Sequence, residues 1–205
     1  MRPPAPRSTR HAALLVLAGM SLPRPRALPG TPITALASAF NCRFQVEEGP
    51  LAPAIHDRAG FDCGVPALNV YIQRFAGQHQ RQGIASVFVL TNTEAPSAIL
   101  GYYTLGAAEA DAANLSEADR RRLPRYPLPC FRMGRLAVDA RAHGQGIGRV
   151  LMGCAVDRCL KAREQVAAYA LIVDAKDARA KKFYAHYGFT AFGHQPMTLY
   201  LPLGR

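Results

Sequence analysis

The sequence predicts an α/β (α+β) fold, built from one globular domain in a chain of 205 residues. Hydrophobic residues make up 49% of the chain, which is enough to bury a substantial core. Segments with the periodicity of amphipathic helices are mixed with short apolar runs typical of strands. The stretch 131–149 contains one of each, and the rest of the chain is best understood from it.

The first half of this stretch is predicted to be a buried strand whose alternation slips. Phe131 and Met133 share one parity, whereas Leu136 and Val138 share the other, so the phase changes near Gly134. A regular strand keeps one parity on each face. A glycine at a phase slip therefore indicates a β-bulge.

The second half is predicted to be a glycine-rich turn, 144–148, that leads into a helix. The i, i+3, i+4, i+7, i+8 pattern gives the buried face of that helix: Ile147, Val150, Leu151, Cys154 and Ala155. Glycine lets backbone N–H groups approach a ligand closely, and a helix N-terminus attracts anions. A bulged strand followed by such a turn and a helix predicts a phosphate-binding site.

Upstream of the central stretch, hydrophobic patterning predicts a strand, a helix and a hairpin. The predicted elements are a strand at 43–47, a helix at 66–80 and two hairpin strands at 85–91 and 98–107. Pro66 suits the first turn of its helix. Ser116 and Asp119 form a weak capping box for a short helix in the polar segment 108–130.

Downstream, the continuous apolar run 168–173 predicts a strand buried on both faces. Asp174 and Asp177 are predicted to mark the start of a helix that Gly188 ends as a C-cap. The apolar stripe of that helix is Ala180, Phe183, Tyr184 and Tyr187, and two closing strands follow at 189–192 and 197–201.

The chain is basic, with a formal net charge of +11. Five of its 25 basic residues lie in the first 41 residues, which hold no acid, so 20 bases and 14 acids remain for the rest. This balance favours a polyanionic partner such as nucleic acid or the phosphates of coenzyme A. A solvated basic surface without such a partner is the alternative.

The cysteines and glycines exclude several classes of site. The five cysteines form no CxxC pair, which favours reduced thiols in a cytosolic protein, and no metal-ligand spacing occurs among Cys and His. The glycine turn is not a P-loop, because no Gly-Lys-Ser/Thr follows it. It is not a dinucleotide fingerprint either, because the glycine spacing differs.

Residues 1–41 differ in composition from the rest and are predicted to be a disordered extension or to follow from a start codon placed too early. Their short apolar run is followed by a small-residue site that lies too far away for an ordinary signal peptide. The run is also too short to span a bilayer. The functional domain is therefore predicted to be 42–205.

The order of elements and two motifs resemble the GCN5-related N-acetyltransferase (GNAT) superfamily over roughly residues 43–203. Residues 134–139, Gly-Arg-Leu-Ala-Val-Asp, with 143–148, His-Gly-Gln-Gly-Ile-Gly, look like its acetyl-CoA motif, and 183–189 looks like its FYxxxGF segment. Within the superfamily the chain is most similar to the acetyltransferase toxins of toxin–antitoxin pairs. That closer likeness is carried by residues 56–58, 61–68, 101–105 and 173–175 as well as 134–139.

The resemblance implies a central mixed, mostly antiparallel sheet flanked by helices, with its fourth and fifth strands splayed. Acetyl-CoA is the implied donor, and no metal is implied. The implied cofactor-binding residues are Leu136, Ala137, Val138, His143, Gly144, Gln145, Gly146, Ile147, Gly148 and Phe183. The chain departs from the superfamily pattern at His143, where glutamine or arginine is usual, so the role of that one side chain at the pyrophosphate is open.

Catalysis would follow from the bulge. An unpaired N–H of Leu136 or Val138 can polarise the thioester carbonyl. By resemblance to the toxins, Tyr184 is the general acid that protonates the departing thiolate, because a phenol with a pKa of about 10 keeps its proton at neutral pH. Packing in the apolar stripe is the competing role for Tyr184, and packing is the role predicted for Tyr187.

No acidic residue stands out as a general base, which favours an α-amine acceptor over a lysine side chain. An α-amine has a pKa of about 7.7–8.0, and a lysine amine one of about 10.4. Aminoacyl-tRNA fits this preference, and the toxin resemblance implies the same substrate and a block of translation. The candidate phosphate contacts are Arg74, Arg81, Arg121 and Arg122. The alternative hypothesis is that these arginines are solvated surface charges that bind no ligand.

Two other functions remain open at this point. The chain could acetylate a small amine or a protein amino group, or it could be a non-catalytic acyl-CoA-binding module. The toxin reading further implies a cytoplasmic protein, a ribbon-helix-helix antitoxin as partner and a possible homodimer, with no membrane association.

Overall fold

The computed structural model describes residues 44–204, which form one seven-stranded sheet with helices on both faces. The strand order is β1-β2-β3-β4-β5-β7-β6, and every neighbouring pair is antiparallel except β4 and β5, which are parallel. The strands are β1 Val46–Pro50, β2 Ser86–Asn92, β3 Ala95–Ala110, β4 Leu128–Val138, β5 Ala170–Asp174, β6 Thr190–Ala191 and β7 Thr198–Pro202. This is the mixed, mostly antiparallel sheet that was predicted.

The helices are α1 Pro66–Val70, α2 Ala76–Arg81, α3 Glu117–Arg120, α4 Ile147–Ala162 and α5 Ala178–His186. A π-helical turn, Tyr71–Phe75, joins α1 to α2, so the helix predicted at 66–80 is present but interrupted. A π-turn inserts one residue into the helical ladder without any distinctive residue pattern, and such turns are frequent at functional sites.

Two hydrophobic clusters define the faces of the sheet near β4. The α4 face is covered by α4 and α5, and all five residues predicted for the buried face of α4 are buried there. The α1 face is covered by α1, the π-turn and α2, which bury Tyr71, Ile72 and Ala76 against Tyr102 and Ala137 of the sheet. A residue of β4 therefore contacts one helical layer or the other according to its parity.

Gly101 of β3 sets how closely α4 approaches the sheet. A Cβ atom at this position would lie 2.6 Å from Leu151 Cδ1 and 2.8 Å from the carbonyl oxygen of Ala137. Neither the buried leucine nor the strand backbone can move away freely. Glycine here lets the first turns of α4 lie against β3, and this fixes where the preceding glycine turn stands.

The helix termini explain most of the predicted boundaries. Ser116 caps α3 by accepting from the N–H of Asp119, and Asp177 caps α5 by accepting from the N–H of Ala180 at 2.7 Å. Gly188, with φ of 85°, follows α5 as predicted. Asp174 does not take part in the helix start: it is the last residue of β5, and the prediction that it marks the helix was wrong on this point.

Several predictions fall at the edge of the described residues. The first strand was predicted at 43–47 and is observed at Val46–Pro50, with Arg43 outside the described residues. The predicted extension 1–41 and Cys42 also lie outside them. Within residues 44–204 the four cysteines are buried and free, and no helix there has the length and apolar character needed to cross a membrane.

Candidate active site

The predicted bulge is present at Gly134. In the ladder between β3 and β4, Thr104 pairs with Arg135 and Leu105 pairs with Met133, so Gly134 is the extra residue. A Cβ at Gly134 would lie only 3.3 Å from Thr104 Oγ1, and glycine avoids that contact. The bulge reverses the parity of the strand, as the sequence pattern indicated.

The bulge coincides with the end of pairing between β4 and β5. The parallel ladder runs from Cys130 and Ala170 to Met133 and Val173 and goes no further. Beyond it, β4 continues to Val138 paired only with β3, whereas β5 continues to Asp174 paired only with β7. We call the resulting space between the two strands the gap; it is the splay that was predicted.

One edge of β4 faces this gap with backbone groups. The N–H of Asp139 donates to Leu100 of β3 at 2.9 Å, and antiparallel strands alternate their bonding direction residue by residue. The backbone of Ala137 therefore faces β3, and the N–H and C=O groups of Leu136 and Val138 face the gap. Leu136 and Val138 are therefore positioned to pair with an extended ligand, as predicted, whereas the third predicted backbone contact, Ala137, is not.

The side chain of His143 forms a hydrogen bond with one of these backbone groups, the carbonyl of Val138. Its Nε2 donates to the Val138 carbonyl oxygen at 2.9 Å, which leaves the N–H groups of Leu136 and Val138 on the gap edge. The His143 side chain thus ties the glycine turn to the end of β4. This contact gives the histidine a structural role at the position where the superfamily pattern has glutamine or arginine.

The glycine turn has the backbone of an anion cradle. Gly144 and Gly146 have φ of 73° and 80°, in the left-handed region that glycine adopts readily, and Gly146 is the N-cap of α4. The N–H groups of residues 144–148 donate to no acceptor within the described part of the chain. Gln145 is turned back, its Nε2 donating to the Arg141 carbonyl at 3.0 Å. Free donors at a helix N-terminus suit a diphosphate.

A buried carboxylate supports this turn from behind. Asp139 is 1% exposed and accepts from Arg141 Nε at 2.7 Å and Nη2 at 2.9 Å, and from the Asp62 N–H at 3.2 Å. Burial alone would raise the pKa of Asp139. The Arg141 guanidinium and the backbone donors outweigh it and hold that pKa below its usual value. The ionised carboxylate ties the 60–64 loop to the turn.

Tyr184 and Phe183 of α5 lie on the α4 face near the other edge of the gap. The Phe183 ring reaches the turn, because a Cβ at Gly148 would contact Val138 Cγ2 at 3.7 Å and Phe183 at 3.9 Å. Tyr187 packs on Phe183, with their ring centroids 5.0 Å apart, as its predicted packing role requires. Phe183 therefore joins α5, the glycine turn and the end of β4.

The Tyr184 hydroxyl is available as a donor. Burial, assisted by the charge of Asp174, raises the pKa of Tyr184 to about 12. The residue is only 8% exposed, yet its hydroxyl makes no hydrogen bond within residues 44–204 and is not among the atoms sealed from solvent. The phenol therefore stays protonated at neutral pH, and its proton is free to be donated to a ligand in the gap.

Asp174 is the nearby acid that the sequence did not identify as part of the site. It ends β5 at the mouth of the gap, where it is paired with Arg132 and accepts from Thr198 Oγ1 at 2.8 Å. Both carboxylate oxygens are thus engaged. This agrees with the absence of an evident general base, and only the pairing of the strands reveals the position of Asp174.

The predicted phosphate-binding arginines fall into two groups. Arg74 in the π-turn and Arg81 in α2 are exposed on the α1 face. Arg121 and Arg122 follow α3, and Arg121 is paired with Glu117. Their segment joins the end of β3 to the start of β4, so it lies at the opposite end of the sheet from the glycine turn, roughly 30 Å away at about 3.3 Å per strand residue. The fold does not gather the four side chains into one cluster.

A gap between parallel strands, a glycine turn with free N–H groups and a buried tyrosine define an enzyme that transfers an acyl group from a coenzyme A thioester. Residues 92–198 match the Acetyltransferase (GNAT) domain, and the chain belongs to this family of acetyltransferases. No cluster of three metal-binding side chains occurs in the described residues. The predicted fold and enzyme class are confirmed.

The chain is also similar to a known and to a probable toxin. It is 31% identical over 145 residues to a tRNA-acetylating toxin of Mycobacterium tuberculosis, covering 71% of this chain and 85% of that protein. It is 25% identical over 162 residues to a probable toxin TacT of Sinorhizobium fredii, covering 75% and 89% respectively.

Solved structures agree with these relatives. A tyrosine-to-phenylalanine mutant of KacT matches with a TM-score of 0.73 and 29% identity over 78% of this chain and 95% of that one. AtaT complexed with acetyl-methionyl-tRNAfMet matches with a TM-score of 0.72 and 29% identity over 77% and 95%. A further AtaT mutant structure contains the C-terminus of the antitoxin AtaR and acetyl-CoA.

Proposed function

We propose that this protein is a toxin that transfers an acetyl group from acetyl-CoA to the α-amino group of an aminoacyl-tRNA and so blocks translation. The observation that carries the proposal is the end of the β4–β5 ladder at Met133 and Val173, which leaves the N–H groups of Leu136 and Val138 facing the gap. The tRNA-acetylating relative and the tRNA-bound AtaT structure support the choice of substrate.

The residues that hold the donor follow from this geometry. Backbone N–H groups of 144–148 bind the diphosphate at the N-terminus of α4, and Phe183 closes the site over Gly148. The gap edge of β4 pairs with the pantetheine arm as a neighbouring strand would. Acetyl-CoA supplies an activated acetyl group, and the protein supplies position and electrostatics.

The reaction then needs two contributions from this chain. The N–H of Leu136 or Val138 donates to the thioester carbonyl and stabilises negative charge on its oxygen. Tyr184 holds a proton at its hydroxyl for the departing thiolate, and its raised pKa keeps that proton in place at neutral pH. The neutral fraction of the amine attacks the thioester carbon, and this fraction is larger for an α-amine, with a pKa of about 7.7–8.0, than for a lysine amine at about 10.4. As the C–S bond breaks, the new amide nitrogen loses its extra proton to solvent, and solvent returns a proton to the Tyr184 phenolate.

The toxin role further implies a cytoplasmic protein that a small DNA-binding antitoxin of ribbon-helix-helix type restrains, and a homodimer as its assembly. The AtaT–AtaR complex bound to DNA supports the antitoxin part of this proposal. Arg74, in the π-turn, and Arg81, at the end of α2, are the two predicted tRNA contacts on the α1 face. Arg121 and Arg122 would meet a more distant part of a long substrate.

The test is transfer of label from acetyl-CoA to charged tRNA. Wild-type protein incubated with labelled acetyl-CoA and total tRNA, charged with all amino acids, should label a subset of the tRNA, and uncharged tRNA should stay unlabelled. Label on peptides or polyamines alone would instead show an acetyltransferase for other amines. No transfer to any amine, with acetyl-CoA still bound, would show a binding module.

A further inference from the structure

Arg135 follows the bulge residue directly and directs its side chain to the α1 face. Its Cζ lies 3.7 Å from the centroid of the Tyr71 ring, within the range of a cation–π contact. Tyr71 is 3% exposed and belongs to the π-turn. The guanidinium thus lies over the ring of a buried tyrosine.

This guanidinium has no acidic partner. The arginines nearest in sequence are paired, Arg132 with Asp174 and Arg141 with Asp139. Arg135 is half-buried, and its side chain makes no hydrogen bond or ion pair within residues 44–204. A guanidinium has five N–H donors, and the nitrogens of Arg135 are not among the side-chain atoms sealed from solvent. Such a group is prepared for a ligand that brings its own acceptors.

The position of Arg135 relative to the gap indicates which part of a ligand it meets. The N–H of Leu136, its neighbour, points into the gap, and Tyr184 lies on the α4 face. A thioester group is planar. When its carbonyl oxygen accepts from a gap-facing N–H of β4, one side of this plane is turned toward the α4 face of the sheet and the other toward the α1 face. With the proton donor on the α4 face, the amine approaches from the α1 face, where Arg135 stands.

The α1 face also has room for a nucleotide. An open cleft of about 350 Å³ is lined there by side chains of the 53–59 loop and by Gln73 of the π-turn. Gln73 is two residues from Tyr71, and Arg58 Nη1 donates to the Gln73 carbonyl at 3.2 Å. The cleft therefore borders the π-turn that carries Tyr71, on the side where the 53–59 loop packs.

We propose that Arg135 binds the backbone phosphate closest to the aminoacylated ribose of the tRNA, and so places the α-amine over the thioester. The planar fork of arginine matches two phosphate oxygens at once, which a lysine cannot do. This inference rests on the proposed function, because it requires a tRNA substrate. It makes Arg135 a substrate-binding residue that discriminates a nucleotide ester from a simple amine.

The experiment compares two acceptors that share the same amine. One is the aminoacyl-tRNA that the wild type labels best, and the other is the methyl ester of the same amino acid, which has no phosphate. Arg135→Gln should lower kcat/KM for the tRNA about 10- to 100-fold and leave that for the ester within about twofold. For Arg135→Lys, we expect a kcat/KM for the tRNA between those of Arg135→Gln and the wild type.

The matched control is Arg179→Gln, which removes an exposed charge from α5 on the opposite face. This control should leave kcat/KM unchanged for both acceptors.

Binding gives a second readout. Arg135→Gln should bind the N-acetylated tRNA product more weakly, and the slope of log K against log salt concentration should fall in magnitude by about 0.7–0.9 per lost phosphate contact. Acetyl-CoA affinity and Tm should stay near those of the wild type.

Three outcomes overturn the proposal, and they differ in meaning. Equal losses with tRNA and ester show that Arg135 acts on the reaction or on folding and not on phosphate. Unchanged kcat/KM and Kd with tRNA show that the phosphate binds elsewhere. If wild-type protein acetylates no charged tRNA at all, the proposed function fails together with this inference, and the ester assay still reports whether the enzyme is active.

Discussion

Met133 and Val173 form the last pair of the parallel ladder between β4 and β5, and the next residue of β4 is the bulged Gly134. The two events have one cause. The extra residue rotates the following backbone so that Leu136 and Val138 turn their N–H groups to the side that β5 has left. The same position thus ends a ladder and turns toward the gap the donors that the proposed reaction needs.

Replacing Tyr184 by phenylalanine tests the general acid. The ring and its contacts with Phe183 and Phe189 stay, and only the unpaired hydroxyl is removed. We expect kcat to fall about 10²- to 10⁴-fold, with the Kd of acetyl-CoA within about twofold. Tyr187→Phe is the matched control and should keep most activity. An unchanged kcat in the Tyr184 variant would remove this residue from the mechanism.

The raised pKa of Tyr184, about 12, also predicts the pH profile. A proton donor is active below its pKa, so ionisation of Tyr184 should not reduce the rate anywhere between pH 6 and about 10. The rate should rise with pH through the pKa of the acceptor amine and then stay level. A falling limb near pH 8–9 in kcat would show that the acid has a much lower pKa than a buried tyrosine.

Gly148→Ala separates ligand binding from folding. The added methyl would meet Val138 and Phe183 only at ordinary contact distances, and the backbone of Gly148 is not left-handed. Alanine is about 0.5–1 kcal/mol better than glycine inside a helix, so Tm should stay level or rise. Acetyl-CoA should bind at least about fivefold more weakly, because the methyl enters the space between β4 and α5. Unchanged affinity by calorimetry would place the diphosphate elsewhere.

Local sequence patterns were sufficient to predict those features whose determining residues all lie within one short segment. The parity slip at Gly134, the five buried positions of α4 and the caps of α3 and α5 each depend on residues close in sequence. The bulge is the best example, because glycine and the change of alternation occur at the same place. The family motifs then linked that bulge to its neighbouring strand.

Contacts between distant segments could not be predicted. Nothing near Asp174 in the sequence reveals its pairing with Arg132, 42 positions earlier, so the local pattern predicts a helix start there instead. The stacking of Arg135 on Tyr71 and the π-turn depend in the same way on how the α1 face packs. The backbone of Ala137 faces β3 because of the register of the β3–β4 ladder. A sequence pattern indicates which face of the sheet a side chain lies on, but not which neighbouring strand the backbone pairs with.

Gly101→Ala should destabilise the fold. Its Cβ would lie 2.6 Å from Leu151 Cδ1 and 2.8 Å from the Ala137 carbonyl oxygen, so α4 or β4 must shift. We expect a loss of about 1–3 kcal/mol in the free energy of unfolding, measured with urea. Gly49→Ala in β1 is the control, because a Cβ there meets nothing within 4 Å. Equal stability of the two variants would show that α4 does not rest on β3 this closely.

Asp139→Asn tests the support behind the glycine turn. The Asp139 carboxylate is buried and accepts from Arg141 and the Asp62 N–H, so its loss should cost about 1–3 kcal/mol at pH 7. Its pKa is below the usual value in the folded protein, so this stability is present above pH 4 and is lost as pH falls through the folded pKa. The difference between wild type and variant, from urea unfolding, should therefore shrink below about pH 4. A difference that stays constant down to pH 2.5 would show that the charge of Asp139 does not stabilise the turn.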